Sequence, residues 1–229
     1  MERSVFKVSA IAVALGLTAA PANAAPITII SEAKTDVVTS TTNAASSSED
    51  LQEIDRNNAW QQNDPRGRGA VWVSNADTGE NGSTFQGRTF TNPSGDSDDD
   101  VIFTITETFT VSSRSRIELS VWSDDTARLS FNGVVQKDAN FTQGTCAIGS
   151  IGCEPNEQFD FIRLLNPGQH TIKLDTYQIG TGTDTTSNPF GILYSGEVTE
   201  VSIPATLGML GVGLIGLATA ARRHRNSVA

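Results

Sequence analysis

The densest acidic run of the chain has the residue types that bind calcium. Asp96, Asp98, Asp99 and Asp100 lie together, with Ser97 between the first two, just before an apolar strand pattern. A structural Ca²⁺ site needs about six to eight oxygen ligands, and alternating Asp and Ser side chains could supply several of them. The alternative is a solvated acidic loop, and it is the favoured one of the two interpretations.

Trp60 is the aromatic residue best placed to stack on a sugar ring, because it lies in a polar, irregular stretch between residues 57 and 68. Trp72 and Trp122 lie within apolar strand patterns, so we expect both of them in the core. The sequence therefore predicts Trp60 as the candidate ligand-binding aromatic side chain.

The chain offers little for catalysis. His170 lies within a strand pattern, and the other histidine lies in the basic C-terminal tail. Cys146 and Cys153 lie close together in a Gly-rich stretch, and in an exported protein we expect such a pair to form a disulfide. Acid pairs could hydrolyse glycosides, but the sequence singles none out. We therefore predict that the chain is not an enzyme.

Strand patterns dominate the chain after residue 70. Phe103, Ile105 and Phe109 share one parity and alternate with threonines, as in a strand with one buried face. Asn132-Gly133 between two apolar runs predicts a hairpin. The expected strands cover residues 27–38, 70–73, 101–111, 116–122, 127–135, 159–165, 170–177 and 191–201. This spacing, without a long helix, predicts an antiparallel β-sandwich and allows a jelly roll.

One short helix is expected before these strands. Ser46 and Glu49 have the spacing of a capping box, and Leu51 and Ile54 follow as apolar residues. The pattern predicts one or two helical turns over residues 49–55.

Residues 121–133 read V-W-S-D-D-T-A-R-L-S-F-N-G, which is an apolar strand, two aspartates and a second strand that ends at Asn-Gly. This hairpin resembles one shared by galactose-binding-like jelly rolls and PA14-type sandwiches. In some PA14-type adhesins two consecutive aspartates hold a Ca²⁺ ion that binds sugar hydroxyls. The resemblance therefore implies a Ca²⁺-assisted glycan site at Asp124 and Asp125. The favoured alternative is a turn in which these side chains accept backbone N–H groups.

The N-terminus has the pattern of a secretory signal. Arg3 and Lys7 give a basic start, an apolar run follows from residue 8 to residue 20, and an A-x-A site occupies residues 22–24. We expect residues 1–24 to be removed. Residues 25–201 then form one extracytoplasmic domain, long enough for a sizeable core.

Residues 203–221 contain no charged side chain and precede a basic cluster. As a helix they would be about 28 Å long, close to the hydrocarbon thickness of a bilayer. Several glycines weaken this helix but allow close packing. The pattern predicts a membrane span with its basic end in the cytoplasm, and the alternative is a buried C-terminal helix.

A tripartite pattern occupies residues 202–225, with a tail to residue 229. Its parts are a short motif, a Gly/Leu-rich span and a basic cluster, carried by Pro204, Ala205, Thr206, Arg222, Arg223 and Arg225. It resembles the PEP-CTERM sorting signal of Gram-negative bacteria, although Ser202 and Ile203 replace the Pro-Glu of that family. The resemblance implies recognition by an exosortase-type membrane protease and delivery to the cell surface or extracellular matrix. Whether the signal is cleaved stays open.

The formal net charge of the chain is −10, and the basic residues near its two ends make the part between them more acidic still. This balance argues against nucleic acid and anionic lipid as partners. We therefore predict a protein of the Gram-negative cell envelope or surface that binds polysaccharide, with Ca²⁺ as its candidate cofactor. The alternatives are a structural surface protein without a small ligand and, less favoured, a glycoside hydrolase.

Overall fold

The computed structural model describes residues 24–39, 48–62, 64–76, 78–79, 101–140, 151–177 and 189–201. The strands of this part of the chain are β1 (Ile27–Ile30), β2 (Lys34–Thr39), β3 (Ser48–Glu53), β4 (Val73–Ser74), β5 (Val101–Val111), β6 (Ser115–Asp124), β7 (Thr126–Phe131), β8 (Val134–Lys137), β9 (Phe159–Leu165), β10 (Gly168–Tyr177) and β11 (Gly191–Glu200). No helix that could cross a membrane is found among the described residues. The predicted span at 203–221 and residues 1–23 of the predicted signal lie outside them.

The strands form two antiparallel sheets. In the first sheet β9, β6 and β11 are neighbours in that order, and β1 and β4 both pair with the other side of β11. The second sheet has the order β8-β7-β10-β5-β2. Strand β3 pairs with β2 in the second sheet and with β4 in the first, so it joins the sheets along one side. This arrangement confirms the predicted mainly-β, antiparallel sandwich.

The main core lies between the sheets and follows the predicted alternation. On β5 the side chains of Phe103, Ile105 and Phe109 are buried in this core, whereas those of Thr106 and Thr108 are exposed. Burial of one such apolar side chain contributes roughly 1.5–3 kcal/mol, so the parity of the apolar residues decides which face of the strand points inward.

A second apolar cluster covers the outer face of the first sheet. Its buried members are Ile54, Trp60, Ala70, Trp72, Trp122, Cys153 and Leu193. Trp122 and Leu193 are sequence neighbours of the core residues Val121 and Tyr194 on β6 and β11, so they point to the opposite face of the sheet. We call these residues the tryptophan cluster, because it contains all three tryptophans of the chain. The prediction that Trp72 and Trp122 are packed inside is confirmed.

The predicted helix over residues 49–55 is wrong, because Ser48–Glu53 is strand β3. Leu51 is buried in the main core, and the next two residues, Gln52 and Glu53, are exposed and pair with β4. A strand here links the two sheets through hydrogen bonds on both sides. This long-range pairing outweighs a local capping signal, since helix propensity is a weak preference that tertiary context overrides.

The two ends of the sandwich differ. Tyr177 pairs with Val101 and Gly191 pairs with Asp124, so β5 and β11 begin where β10 and β6 finish. We call this the loop end. The opposite end, here the turn end, carries the short connections at residues 112–114, 132–133 and 166–167. The last of the strands, β11, finishes at the turn end.

Candidate functional site

Asp124 and Asp125 form a buried pair of carboxyl groups at the loop end. Asp124 is the last residue of β6, Asp125 makes the corner, and β7 begins at Thr126. The peptide bond between the two aspartates is cis. Their side chains are only 7% and 2% exposed, so both carboxyl groups are largely removed from solvent.

Trp60 supplies a hydrogen-bond donor to this pair. Its indole Nε1–H donates to Oδ2 of Asp124 over 2.7 Å. The Trp60 ring packs on that of Trp72 with centroids 4.4 Å apart, and Nε1–H of Trp72 donates to the backbone oxygen of Gln61 over 2.9 Å. The stretch that contains Trp60 is polar in sequence, yet its indole is 2% exposed. The structure therefore corrects the prediction of a sugar-stacking face, because the ring is packed on another tryptophan.

The electrostatics of the pair are unusual. Burial raises the pKa of the Asp124 carboxyl well above its usual value, and the charge of Asp125 and a hydrogen bond with that carboxyl act in the same direction. The hydrogen bond from Trp60 works against this shift. Two carboxylates this close and this buried cannot both be ionised at low cost unless a proton or a cation lies between them.

Several segments meet around the pair. The backbone amide of Ser123 donates to the carbonyl of Gly152 over 3.0 Å, and that of Asn140 donates to Oγ1 of Thr126 over 3.1 Å. Thr78 also exchanges hydrogen bonds with Phe190, its Oγ1 donating to the backbone oxygen over 2.6 Å. The residues on either side of the pair, Ser123 and Thr126, are thus bonded to neighbouring segments of the loop end.

The donor chemistry fits a hard cation. Carboxylate oxygens are the ligands that Ca²⁺ prefers, and a cation would relieve the repulsion between two buried carboxylates. Asp124 and Asp125 would be its two carboxylate ligands, because no group of three or more His, Cys, Asp or Glu side chains that could hold a metal ion occurs in the described ranges. A Ca²⁺ ion at this pair would take its remaining oxygen ligands from hydroxyls, backbone carbonyls or water.

The other predicted site residues are placed as follows. Cys153 is buried in the tryptophan cluster, and its backbone oxygen accepts a hydrogen bond from the amide of Gln61 over 2.8 Å. Its predicted partner Cys146 lies outside the described residues, as do the acidic run Asp96, Asp98, Asp99 and Asp100 and the sorting segment 202–225. His170 lies on β10, as its strand pattern predicts.

Sequence reasoning missed the role of Asp64. Its Oδ1 accepts the amide of Arg66 over 2.9 Å, and its Oδ2 accepts the amides of Arg68 and Ala70 over 2.6 and 3.2 Å. Arg68 then reaches Glu197 on β11 over 2.7 Å. Asp64 thus shapes the segment that covers the outer face of the first sheet. The Asp-Pro-Arg-Gly order at residues 64–67 was the available turn signal.

No family model matches the sequence, and no curated protein matches it. Among solved structures, the chain is similar to a GH26-CBM35 β-(1,4)-mannanase from Podospora anserina, with 13% identity and a TM-score of 0.34, over 78% of this chain and 28% of the mannanase. It is also similar to a family 35 carbohydrate binding module from Clostridium thermocellum, with 12% identity and a TM-score of 0.32, over 78% of this chain and 100% of the module.

A third similar structure is a cycloisomaltooligosaccharide glucanotransferase from Paenibacillus sp., complexed with cycloisomaltoheptaose. Its identity is 15% and its TM-score 0.30, over 74% of this chain and 18% of that protein. Since all three TM-scores are below 0.5, the functional assignment of this chain depends on its own residues.

Proposed function

We propose that this chain is an exported surface or matrix protein whose jelly-roll-like sandwich binds polysaccharide with the help of a cation held by Asp124 and Asp125. The observation that carries the proposal is the buried carboxyl pair at the loop end, with Trp60 donating to Asp124. An acidic domain would repel polyanions and leaves neutral glycans as ligands. The proposed activity is binding and not catalysis.

In this proposal the residues have separate roles. The carboxylates of Asp124 and Asp125 would hold Ca²⁺, which supplies open coordination positions for sugar hydroxyls when bound. The N–H of Trp60 fixes the orientation of the Asp124 carboxylate through Oδ2. The packing of Trp60 on Trp72 keeps that donor in place and keeps water away from it.

The export part of the proposal rests on the two ends of the sequence. Residues 1–24 would direct secretion, and residues 202–225 would sort the protein through an exosortase-type protease or hold it in the membrane by residues 203–221. Because β11 finishes at the turn end, a chain anchored by the residues after Val201 would present its loop end away from the membrane. A glycan site at the loop end would then face the surrounding matrix.

The test is the effect of Ca²⁺ on thermal unfolding and on binding to a glycan array. A ligand that binds only the folded state at about 100 times its Kd stabilises it by about 2.7 kcal/mol. We expect Ca²⁺ to raise the Tm of the natural chain and to leave that of Asp124→Asn and Asp125→Asn unchanged. Asn at position 124 retains an oxygen that can accept from Trp60, and both substitutions keep the size of the side chain, so both variants should fold.

Asp138→Asn is the matched control, because Asp138 is an exposed carboxylate of the same region that pairs with Arg128. It should keep the full calcium shift. Equal calcium-dependent shifts of the Tm in all variants would mean that the carboxyl pair does not hold the cation. Absence of every glycan signal would favour a structural surface protein, and glycan turnover lost with one carboxylate would favour a hydrolase.

A further inference from the structure

A cleft of about 510 Å³ lies beside the tryptophan cluster. It is formed by residues 53–56, 61, 62, 64, 67 and 69–72, together with Leu193 of β11. Its volume falls within the range of about 300–1,000 Å³ that is usual for small-ligand sites. Neither Asp124 nor Asp125 lines the cleft, so it is separate from the carboxyl pair.

The cleft has an apolar floor and a polar rim. Ile54, Trp72 and Leu193 line it with buried apolar groups, whereas Glu53 and Arg56 are exposed at its edge. A sugar ring has the same division, with C–H groups on its faces and hydroxyls around its edge. An apolar surface bordered by carboxylate, amide and guanidinium groups can therefore contact both parts of a sugar at once.

The rim is held in place before any ligand arrives. Arg56 Nε–H donates to Oε1 of Gln62 over 2.8 Å, and the amide nitrogen of Gln62 donates to the backbone oxygens of Asn58 and Trp60 over 2.7 and 2.8 Å. The turn that Asp64 holds also lines the cleft, through Gly67, whose φ is +64°. Preorganised groups lose little conformational entropy when a ligand binds.

The charge of the cleft restricts its ligand. Three carboxylate residues, Glu53, Asp55 and Asp64, line it together with one guanidinium, that of Arg56. A polymer with a carboxylate on each sugar would be repelled by this excess of negative charge. An uncharged polysaccharide would not be repelled.

We infer that this cleft binds a short stretch of an uncharged pyranose chain. The inference rests on the proposed polysaccharide function and adds a second contact to it. Trp72 connects the two places, because its ring lines the cleft and packs on Trp60, which donates to Asp124. All three tryptophans belong to this cluster, so their fluorescence reports on it.

The test is a fluorescence titration of the full chain, in calcium, with cellohexaose, maltohexaose, chitohexaose and hexagalacturonate. We expect at least one neutral hexasaccharide to bind and the hexagalacturonate not to bind. Arg56→Ala and Glu53→Gln should each raise the Kd of the bound hexasaccharide by about tenfold or more, as expected for the loss of a hydrogen bond to a charged group. Arg114→Ala, at an exposed arginine of the turn end, is the matched control and should leave the Kd unchanged.

A second measurement locates the ligand without depending on a variant. The indole N–H signal of Trp72 in an NMR spectrum should move on titration with the hexasaccharide, whereas the side-chain amide signals of Asn132 at the turn end should not. If the Kd is unchanged in Arg56→Ala and Glu53→Gln and the Trp72 signal does not move, the cleft is not the binding site, although the chain still binds polysaccharide. Binding of none of the four sugars would instead overturn the proposed function itself.

Discussion

At the scale of single residues, Asp124 links the stability of the molecule to pH. Its carboxyl is buried, lies next to the carboxyl of Asp125 and therefore has a raised pKa. The unfolded chain would titrate this group near its ordinary pKa of about 3.9. Between that value and the raised folded pKa, the folded state binds more protons than the unfolded state. Its contribution to the free energy of unfolding must then decrease as the pH rises through this interval.

We therefore expect Asp124→Asn to remove a pH dependence. In EDTA, the contribution of Asp124 to stability is complete below about pH 4 and is lost as the pH rises through the folded pKa. The variant has no proton to lose, so its unfolding free energy should exceed that of the natural chain at neutral pH and approach it in acid. Urea unfolding at a series of pH values measures the difference.

Asp64 provides a contrast of opposite sign. Burial works to raise the pKa of Asp64, but the hydrogen bonds that its carboxylate accepts outweigh this effect, and the pKa is lowered. Its stabilisation is present above about pH 4 and is lost as the pH falls through the folded pKa. Asp64→Asn should therefore lower the free energy of unfolding above about pH 4 and have a smaller effect in acid.

The prediction for Asp124 has a clear contrary outcome. If the unfolding free energies of Asp124→Asn and the natural chain changed in parallel with pH, the folded-state pKa of Asp124 would not be raised.

At the scale of the elements, a polar contact joins the two sheets across the core. The hydroxyl of Tyr194 on β11 donates to Oε1 of Glu107 on β5 over 2.6 Å. Lys34 on β2 donates to the same oxygen, also over 2.6 Å. Burial of Tyr194 and the charge of Glu107 raise the pKa of the Tyr194 hydroxyl well above its usual value, so it keeps the proton that it donates.

We expect Tyr194→Phe to lower the free energy of unfolding by roughly 1.5–3 kcal/mol, which is the usual cost of losing a hydrogen bond to a charged group. The ring still fills its place in the core, so the change isolates the hydroxyl. Denaturant unfolding of Tyr194→Phe, Glu107→Gln and the double variant gives the coupling between them. Additive effects of the two substitutions would mean that this contact does not hold the sheets together.

The same strands show what the sequence can and cannot predict. Phe103 and Ile105 on β5 were predictable, because alternation with threonines is a local pattern that burial enforces. Glu107 has the same parity, yet nothing near it in sequence indicates that Tyr194 and Lys34 would satisfy its carboxylate. Leu51 was assigned to the wrong element for the same reason, since the partners of β3 are distant in sequence.

In the candidate site, too, local motifs were predictable and contacts between distant residues were not. Asp124-Asp125 was found because two adjacent aspartates form a visible motif. The donor from Trp60 was not found, because 64 residues separate it from Asp124 and a polar surrounding sequence indicated exposure. Pairs that form only through tertiary structure leave no local signal, so the cleft beside Trp72 could not be anticipated either.

At the scale of the whole molecule, the start and the finish of the described domain lie together. β1 pairs with β11, and the backbone amide of Ala24 donates to Oε2 of Glu200 over 3.3 Å. This contact is at the end of β11 that pairs with Ser115, which is the turn end. Ala24, after which cleavage of the secretory signal is predicted, therefore lies close to the end of β11 and far from the carboxyl pair. Cleavage after Ala24 would leave the loop end intact.

We expect the protein recovered from the surface or medium of its native cell to begin at Ala25. Its intact mass also decides the open question of C-terminal cleavage, since a chain that lacks the residues after about Ser202 has been processed there. Its intact mass should also be lower by the two hydrogens that leave when Cys146 and Cys153 join in a disulfide, and reduction should restore them. Retention of residues 203–229 would remove the exosortase-type protease from the proposal and leave a chain held by a single membrane span. A mass that includes residues 1–24 would show that the N-terminal segment is kept, and the predicted secretory signal would then be an anchor.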